Sequence, residues 1–334
     1  QRLRARYILD GSFTQSEQDL SVSLRLVNAR ELSIACSDTW QFNVQNLRAV
    51  QQEIVAAIVK QTAPAVAAPV DTAPLPDLQA RDAWLEGVFL LQQRDPQQLP
   101  AARQAFERAL EHQAAYEDAM LGLARIRLAT GQDSRPLLDE ILQLYPDSAV
   151  ALGLQSYLQR SLLWDWSAAA ETAQRAVDLQ GGNAELLSAA GLALFSLGDF
   201  EQAEGHLRAA VDRDPLNLHR HMHLGLLQEF SGQWDEALST YRSVQGLNSE
   251  YPGLYAYRTR IRVLQQEADL ALAESEREAD PFWRRYARLL ALVASGEEQE
   301  SSSLLQQMIE DDGHRAAYQV AEVQAFRGEY DAAF

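Results

Sequence analysis

The sequence predicts a mostly α-helical chain: a right-handed superhelix of about fifteen helices, preceded by a small α/β segment of about three strands and one helix. Three observations predict it. Glycine, alanine and aromatic residues recur at a spacing near 34 from Leu78 onward. Apolar residues alternate with period two only in the first 60 or so residues. Between the two regions, residues 62–77 read T-A-P-A-V-A-A-P-V-D-T-A-P-L-P-D, and the prolines exclude helix and favour an extended spacer. The 334 residues are 47% hydrophobic and 23% charged, the balance of a soluble chain that builds a core.

The N-terminal segment, residues 1–62, reads as strands and then a helix. Tyr7-Ile8-Leu9 leads into Asp10-Gly11, a turn signal. Leu20 to Val27 is L-S-V-S-L-R-L-V, and Leu32 to Phe42 holds Ile34, Cys36, Trp40 and Phe42. From Asn46 to Lys60 the period changes: Leu47, Val50, Ile54, Ala57 and Ile58 lie on one helical face. One helix over three short strands makes a thin core, so this segment is expected to lean on the rest of the chain or to lack a part before Gln1. A chain opening at Gln1 rather than methionine is expected of a piece of something larger. Residues 63–77 are the linker, and 78–334 the solenoid.

Within the solenoid two stretches match at an offset of 34 throughout. Leu187, Ala190, Gly191, Leu194, Gly198, Phe200, Ala203, Leu207 and Ala210 correspond to His221, Leu224, Gly225, Gln228, Gly232, Trp234, Ala237, Tyr241 and Val244. Weaker copies surround them: Trp84, Gly87, Ala102 and Phe106; then Gly122, Gly131 and Ile141; then Trp166, Ala169 and Ala173. Others centre on Gly296 and Gly328, for about seven and a half units. The pattern resembles the tetratricopeptide repeat, a helix–turn–helix unit of that length. The resemblance places Gly191 and Gly225 where the two helices of a repeat cross, with Leu207 and Tyr241 beside them. It places Gly198 and Gly232 at first-helix C-termini.

That repeat uses the concave face of its first helices. The resemblance implies a partner-binding groove lined by Leu85, Phe89, Leu121, Leu154, Leu158, Leu192, Phe195, Met222, Leu226, Tyr286 and Leu290. This is an apolar stripe suited to a protein or peptide segment, or to a second copy of the chain. The lysine and asparagine set with which chaperone-binding members clamp a C-terminal carboxylate is missing.

Acids outnumber bases 47 to 29, for a net charge of −18. Residues 1–62 hold seven bases and six acids and the linker holds two acids, so the solenoid carries −17. Such a chain is repelled by nucleic acid and by anionic membrane surfaces, and neither is an expected partner. The charge reads as a solvated face that keeps the array soluble. Arg258, Arg260, Arg262, Arg284, Arg285 and Arg288 form a basic patch inside this acidic array. Pairing with Glu267, Glu274, Glu276 and Glu278 is its expected use, and an acidic partner the alternative.

Motifs for chemistry are scarce. Gly181-Gly182-Asn183 lacks the lysine and hydroxyl of a phosphate loop. Cys36 is the sole cysteine, which excludes an internal disulfide, and it reads as a packed thiol. His219 and His223, one helical turn apart, are the one weak metal candidate, with no carboxylate on their face before Glu229. No cofactor and no catalytic turnover are expected of this chain.

A second resemblance joins the two ends. Arg6 to Phe13 (R-Y-I-L-D-G-S-F), Leu24 to Ala29 (L-R-L-V-N-A), Trp40 and Gln51-Gln52-Glu53-Ile54 resemble a TolB-amino-terminal-like domain. Ala317 to Glu329 is similar to a motif of the same bacterial signalling proteins. In that family a cytoplasmic class III adenylate cyclase or a ToxR/CadC-like winged helix precedes a membrane helix, and the TolB-like segment and repeats follow in the periplasm. The resemblance implies a sensory or scaffold region on the periplasmic side of the inner membrane, with its anchor upstream; without that architecture the chain would be cytoplasmic. A regulatory fragment of the cyclase or transcriptional regulator, and an oligomerisation module, are the alternative readings.

Overall fold

The computed structural model describes residues 7–15, 19–29, 31, 33–43, 47–62, 76–93, 95–313 and 315–333. The Pro/Ala-rich linker lies almost wholly outside them, as does Arg6. The chain divides into two compact units, Gln1–Arg81 and Asp82–Phe334.

In the first unit, β1 (Tyr7–Gln15), β2 (Asp19–Asn28) and β3 (Ser33–Asn43) form an antiparallel sheet in sequence order, followed by α1 (Leu47–Thr62). The register pairs Ser12 with Ser23 and Val22 with Trp40, and a bulge separates Leu26 from Val27. β1 runs straight through Asp10-Gly11, where the sequence suggests a turn. Glycine is needed there for close approach: a Cβ would lie 2.6 Å from the carbonyl oxygen of Ser23 and collide with the Leu24 side chain. Among the described residues of the sheet and α1, only Leu26 is a buried hydrophobic, while Phe13 and Ile34 are exposed. The Cys36 thiol donates to the Asp38 carboxylate at 3.1 Å. That bond, together with slight burial and the charge of Asp38, pushes its pKa up, which suppresses the thiolate.

In the second unit, helices pair in sequence order: α2 (Leu78–Gln92) with α3 (Leu99–His112), α4 (Glu117–Ala129) with α5 (Arg135–Leu144), and α6 (Ala149–Ser161) with α7 (Trp166–Leu179). α8 (Ala184–Leu197) pairs with α9 (Phe200–Arg213), α10 (Leu218–Phe230) with α11 (Trp234–Leu247), and α12 (Leu254–Leu264) with α13 (Ala268–Ser275). α14 (Pro281–Ala294) and α15 (Glu298–Asp312) precede α16 (Ala317–Phe326) and the short α17 (Tyr330–Ala333). Many helix starts are capped by the residue type expected there. Asn183 accepts from the amides of Glu185 and Leu186, Asp199 from Gln202, and Asp280 from Phe282 and Trp283.

The crossing of paired helices explains the small residues of the repeat. A Cβ on Gly191 would lie 2.6 Å from Leu207 Cγ, and one on Gly225 would enter the Tyr241 ring. Phe106 plays the same part toward both Gly87 and Gly122. Ala203, Ala237, Leu207 and Tyr241 are fully buried. Gly198 and Gly232 end their helices in the left-handed region, at φ 88° and 73°, a conformation that favours glycine. Buried clusters follow one another along the array, each joining one repeat to the next. Stability is therefore local and nearest-neighbour.

Candidate interaction surface

The first helices, α2 to α14 by alternate elements, carry the predicted groove residues, but their environments differ. Leu85 and Phe89 on α2 are exposed, at 46% and 63%. Leu192, Phe195 and Leu226 are half-buried. Leu121, Leu154 and Leu158 are buried together in one core cluster, Met222 in a second, and Tyr286 and Leu290 in a third. Five of these six do not line an open groove, while Leu121 also forms part of the floor of a local cleft. Adjacent first helices pack directly on one another, and a leucine or tyrosine at these positions fills the junction between repeats.

What stays open is more local. A cleft of about 550 Å³ lies between α2 and α4. Trp84, Val88, Leu91 and Phe106 give it apolar walls, with Leu121 and Gly122 at its base. The Arg125–Glu185 pair stands at its edge, with guanidinium–carboxylate bonds of 2.5 and 3.1 Å. Asp118 also faces the cleft, and partial burial followed by the charge of Glu117 pushes its carboxyl pKa up. An apolar cleft with an exposed acid, Asp118, at its margin suits an apolar segment carrying a basic group. Further along, Phe195 has ring neighbours Phe200 at 5.8 Å and Phe230 at 5.6 Å.

The histidines are engaged separately. His219 Nδ1 meets the Tyr251 hydroxyl at 2.6 Å, and His223 Nδ1 meets the Ser188 hydroxyl at 3.3 Å. Buried His221 bonds the Pro215 carbonyl through Nε2. Burial, with the positive charge of His219, Arg160 and Arg220, pushes the His223 pKa down to about 4. A neutral His223 can ligate, but among the described residues no three His, Cys, Asp or Glu groups converge on a metal position.

The arginine patch is not an open basic surface. Arg258 pairs with Glu274 at 2.5 Å and Arg262 with Glu267 at 2.6 Å. Arg285 reaches Asp311 and Asp312, Arg288 reaches Glu300, and Arg284 donates to the carbonyls of Glu278 and Ala279. Glu278 instead accepts from the amides of Gly253, Tyr255 and Ala256 at the start of α12.

Arg260 forms the centre of a network that sequence reasoning missed. Its guanidinium is only 4% exposed and bonds Glu229 at 2.5 Å and Glu322 at 3.3 Å. The Tyr241 hydroxyl donates to Glu229, the Tyr286 hydroxyl donates to Glu322, and the rings of Tyr257 and Phe230 flank the cation. Burial disfavours charge on both partners; it raises the Glu229 pKa, while the bond to Glu229 keeps Arg260 charged. One guanidinium thus ties α10, α11, α12, α14 and α16. The contacts to Glu229 and Glu322 span 31 and 62 residues, so no local pattern could announce them.

Comparison with known proteins agrees with this architecture. A family model described as tetratricopeptide repeat matches residues 163–217 and 188–253. A tetratricopeptide repeat protein from Parabacteroides merdae superposes with a TM-score of 0.55 at 13% identity, covering 75% of this chain and 100% of that one. The Cut9–Hcn1 hetero-tetramer of the APC/C gives 0.54 at 15% identity, over 77% of this chain and 45% of that one. No curated protein sequence matches. The chain carries tetratricopeptide repeats, and at these identities the structural likeness concerns the fold.

Proposed function

We propose that the helical unit is a non-catalytic protein-interaction scaffold that takes a partner segment on the face of its first helices, beginning at the cleft between α2 and α4. The carrying observation is that cleft: apolar walls, open volume and the Asp118 carboxylate at its margin, in a repeat type whose proteins are interaction scaffolds. The Cut9–Hcn1 neighbour, itself part of a hetero-tetramer, supports an assembly role. The TolB-like residues of the first unit support a place in a bacterial membrane-anchored signalling protein, on the periplasmic side. Among the described residues no helix is long and apolar enough to cross a membrane.

The test uses random dodecapeptides displayed on phage and selected against the whole chain. Selected sequences should combine apolar residues with lysine or arginine. Val88→Glu, which fills the cleft and adds an acid to it, should weaken a selected peptide about 10-fold or more, the range for a central contact. Equal affinity for wild type and variant would remove the cleft as the site.

A further inference from the structure

Most first helices end in a turn whose last residue has positive φ. At five such turns the residue is glycine: Gly131, Gly198, Gly232, Gly296 and Gly328, at φ 69° to 88°. A Cβ on any of them would meet no atom within 4 Å, so glycine there answers to the backbone angle alone. Two such turns hold other residues: Gln266 between α12 and α13, at φ 60°, and the far bulkier Trp164 between α6 and α7, at φ 58°. A bulky side chain in the left-handed region is a strained choice, and strain of this kind marks positions kept for function. Burial does not compensate for it, because Trp164 is 73% exposed. The folded chain gains neither backbone ease nor core from this residue.

Its surroundings extend the same property. Leu162 and Leu163 are exposed at 46% and 45%, and Trp166, whose ring is 6.4 Å from that of Trp164, at 41%. The equivalent edge of the next repeats presents Phe200 at 40% and Phe230 at 51%, both against Phe195. The turns along this edge carry charge of one sign, and the Arg260 cation beside the Phe230 ring is buried and paired with Glu229 and Glu322. Residues 161–167 contain Asp165; 196–202 contain Asp199 and Glu201; 231–237 contain Asp235 and Glu236; none of the three stretches has a lysine, arginine or histidine.

We infer that this turn edge, centred on Trp164, is a docking surface for an amphipathic helix of a partner protein, its apolar face on Trp164, Trp166 and the phenylalanines and its lysines or arginines against the flanking acids. Charge complementarity selects this occupant. A second copy would bring the same acids edge to edge, and an anionic lipid surface would be repelled. Tryptophan, with tyrosine and arginine, is enriched among the side chains that carry such contacts. The inference rests on the reading of the array as an interaction scaffold, but uses a different face from the α2–α4 cleft.

The experiment titrates the full chain with three fluorescein-labelled 14-residue peptides, followed by anisotropy at 150 mM salt. They are a Leu/Lys amphipathic helix, its Leu/Glu counterpart, and a scrambled Leu/Lys sequence of the same composition. The first should bind at least 10-fold more tightly than the other two. Trp164→Gly should weaken it at least 10-fold while raising the melting temperature, because glycine adopts the left-handed turn without strain. Trp166→Ala should also weaken binding, and the loss caused by Trp164→Gly should persist in a Val88→Glu background, where the α2–α4 cleft is blocked. Undiminished binding to Trp164→Gly, or a lower melting temperature for it, overturns the proposal. So does equal binding of the scrambled peptide. Sedimentation that shows dimers dispersed by Trp164→Gly would assign the edge to a second copy instead, and Trp164-dependent binding to phosphatidylcholine vesicles would assign it to a lipid surface. If Val88→Glu abolishes peptide binding and Trp164→Gly does not, the scaffold reading stands and this surface falls.

Discussion

Gly191 and Gly225 each admit a facing side chain where no Cβ has room. Gly191→Leu and Gly225→Leu should each destabilise the array by about 2–4 kcal/mol through overpacking, read by urea denaturation. Unchanged midpoints would mean that the helices do not cross there. His223 gives a pH-dependent counterpart. Its imidazole takes a proton near pH 6.5 when unfolded but only at about 4 when folded. Between those values the unfolded chain binds more protons, so stability is complete above pH 6.5 and declines as pH falls toward 4, by up to about 3 kcal/mol. His223→Gln should lose that part of the pH dependence, which melting curves of both proteins from pH 7 to 4.5 would reveal. The glycines are legible in the sequence because their cause is a contact inside one repeat. The state of His223 is not, since it depends first on burial in the folded array, and then on the charges of His219 and Arg220 on its own helix and of Arg160 on α6.

At the scale of elements, helix–turn–helix units follow from spacing alone, and the exposure of their faces does not. Leu158 and Leu192 occupy corresponding places in the repeat, 34 residues apart, yet one is buried and the other half-buried. The difference lies in which side chains the neighbouring first helix brings. Arg260 is the extreme case, a cation adjacent in sequence to uncharged Thr259 and Ile261 but held by acids from α10 and α16. Arg260→Met should destabilise by about 3–5 kcal/mol, because it leaves Glu229 buried without a counter-charge. Adding Glu229→Leu should recover most of that loss, and hydrogen exchange should show α16 loosened in the single variant more than in the double. A single variant as stable as wild type would mean that the network contributes nothing to holding α16.

For the whole molecule, each helix pair is stable only against its neighbours. The glycine variants should therefore speed amide exchange in α8 to α11 while α14 and α15 keep their protection. The sequence by itself determined the repeat, its period, the crossing glycines, the left-handed turns and the acidic balance. All of these are caused by residues within about 34 positions of one another or by composition. Only the tertiary structure decided which apolar first-helix residues stay open, that the arginines are paired within the chain, and that Trp164 stands in a glycine's place with its ring in water. Burial and ion pairing are properties of what lies across a helix junction. The partner there is one or two repeats away in sequence, and no local period encodes its side chain.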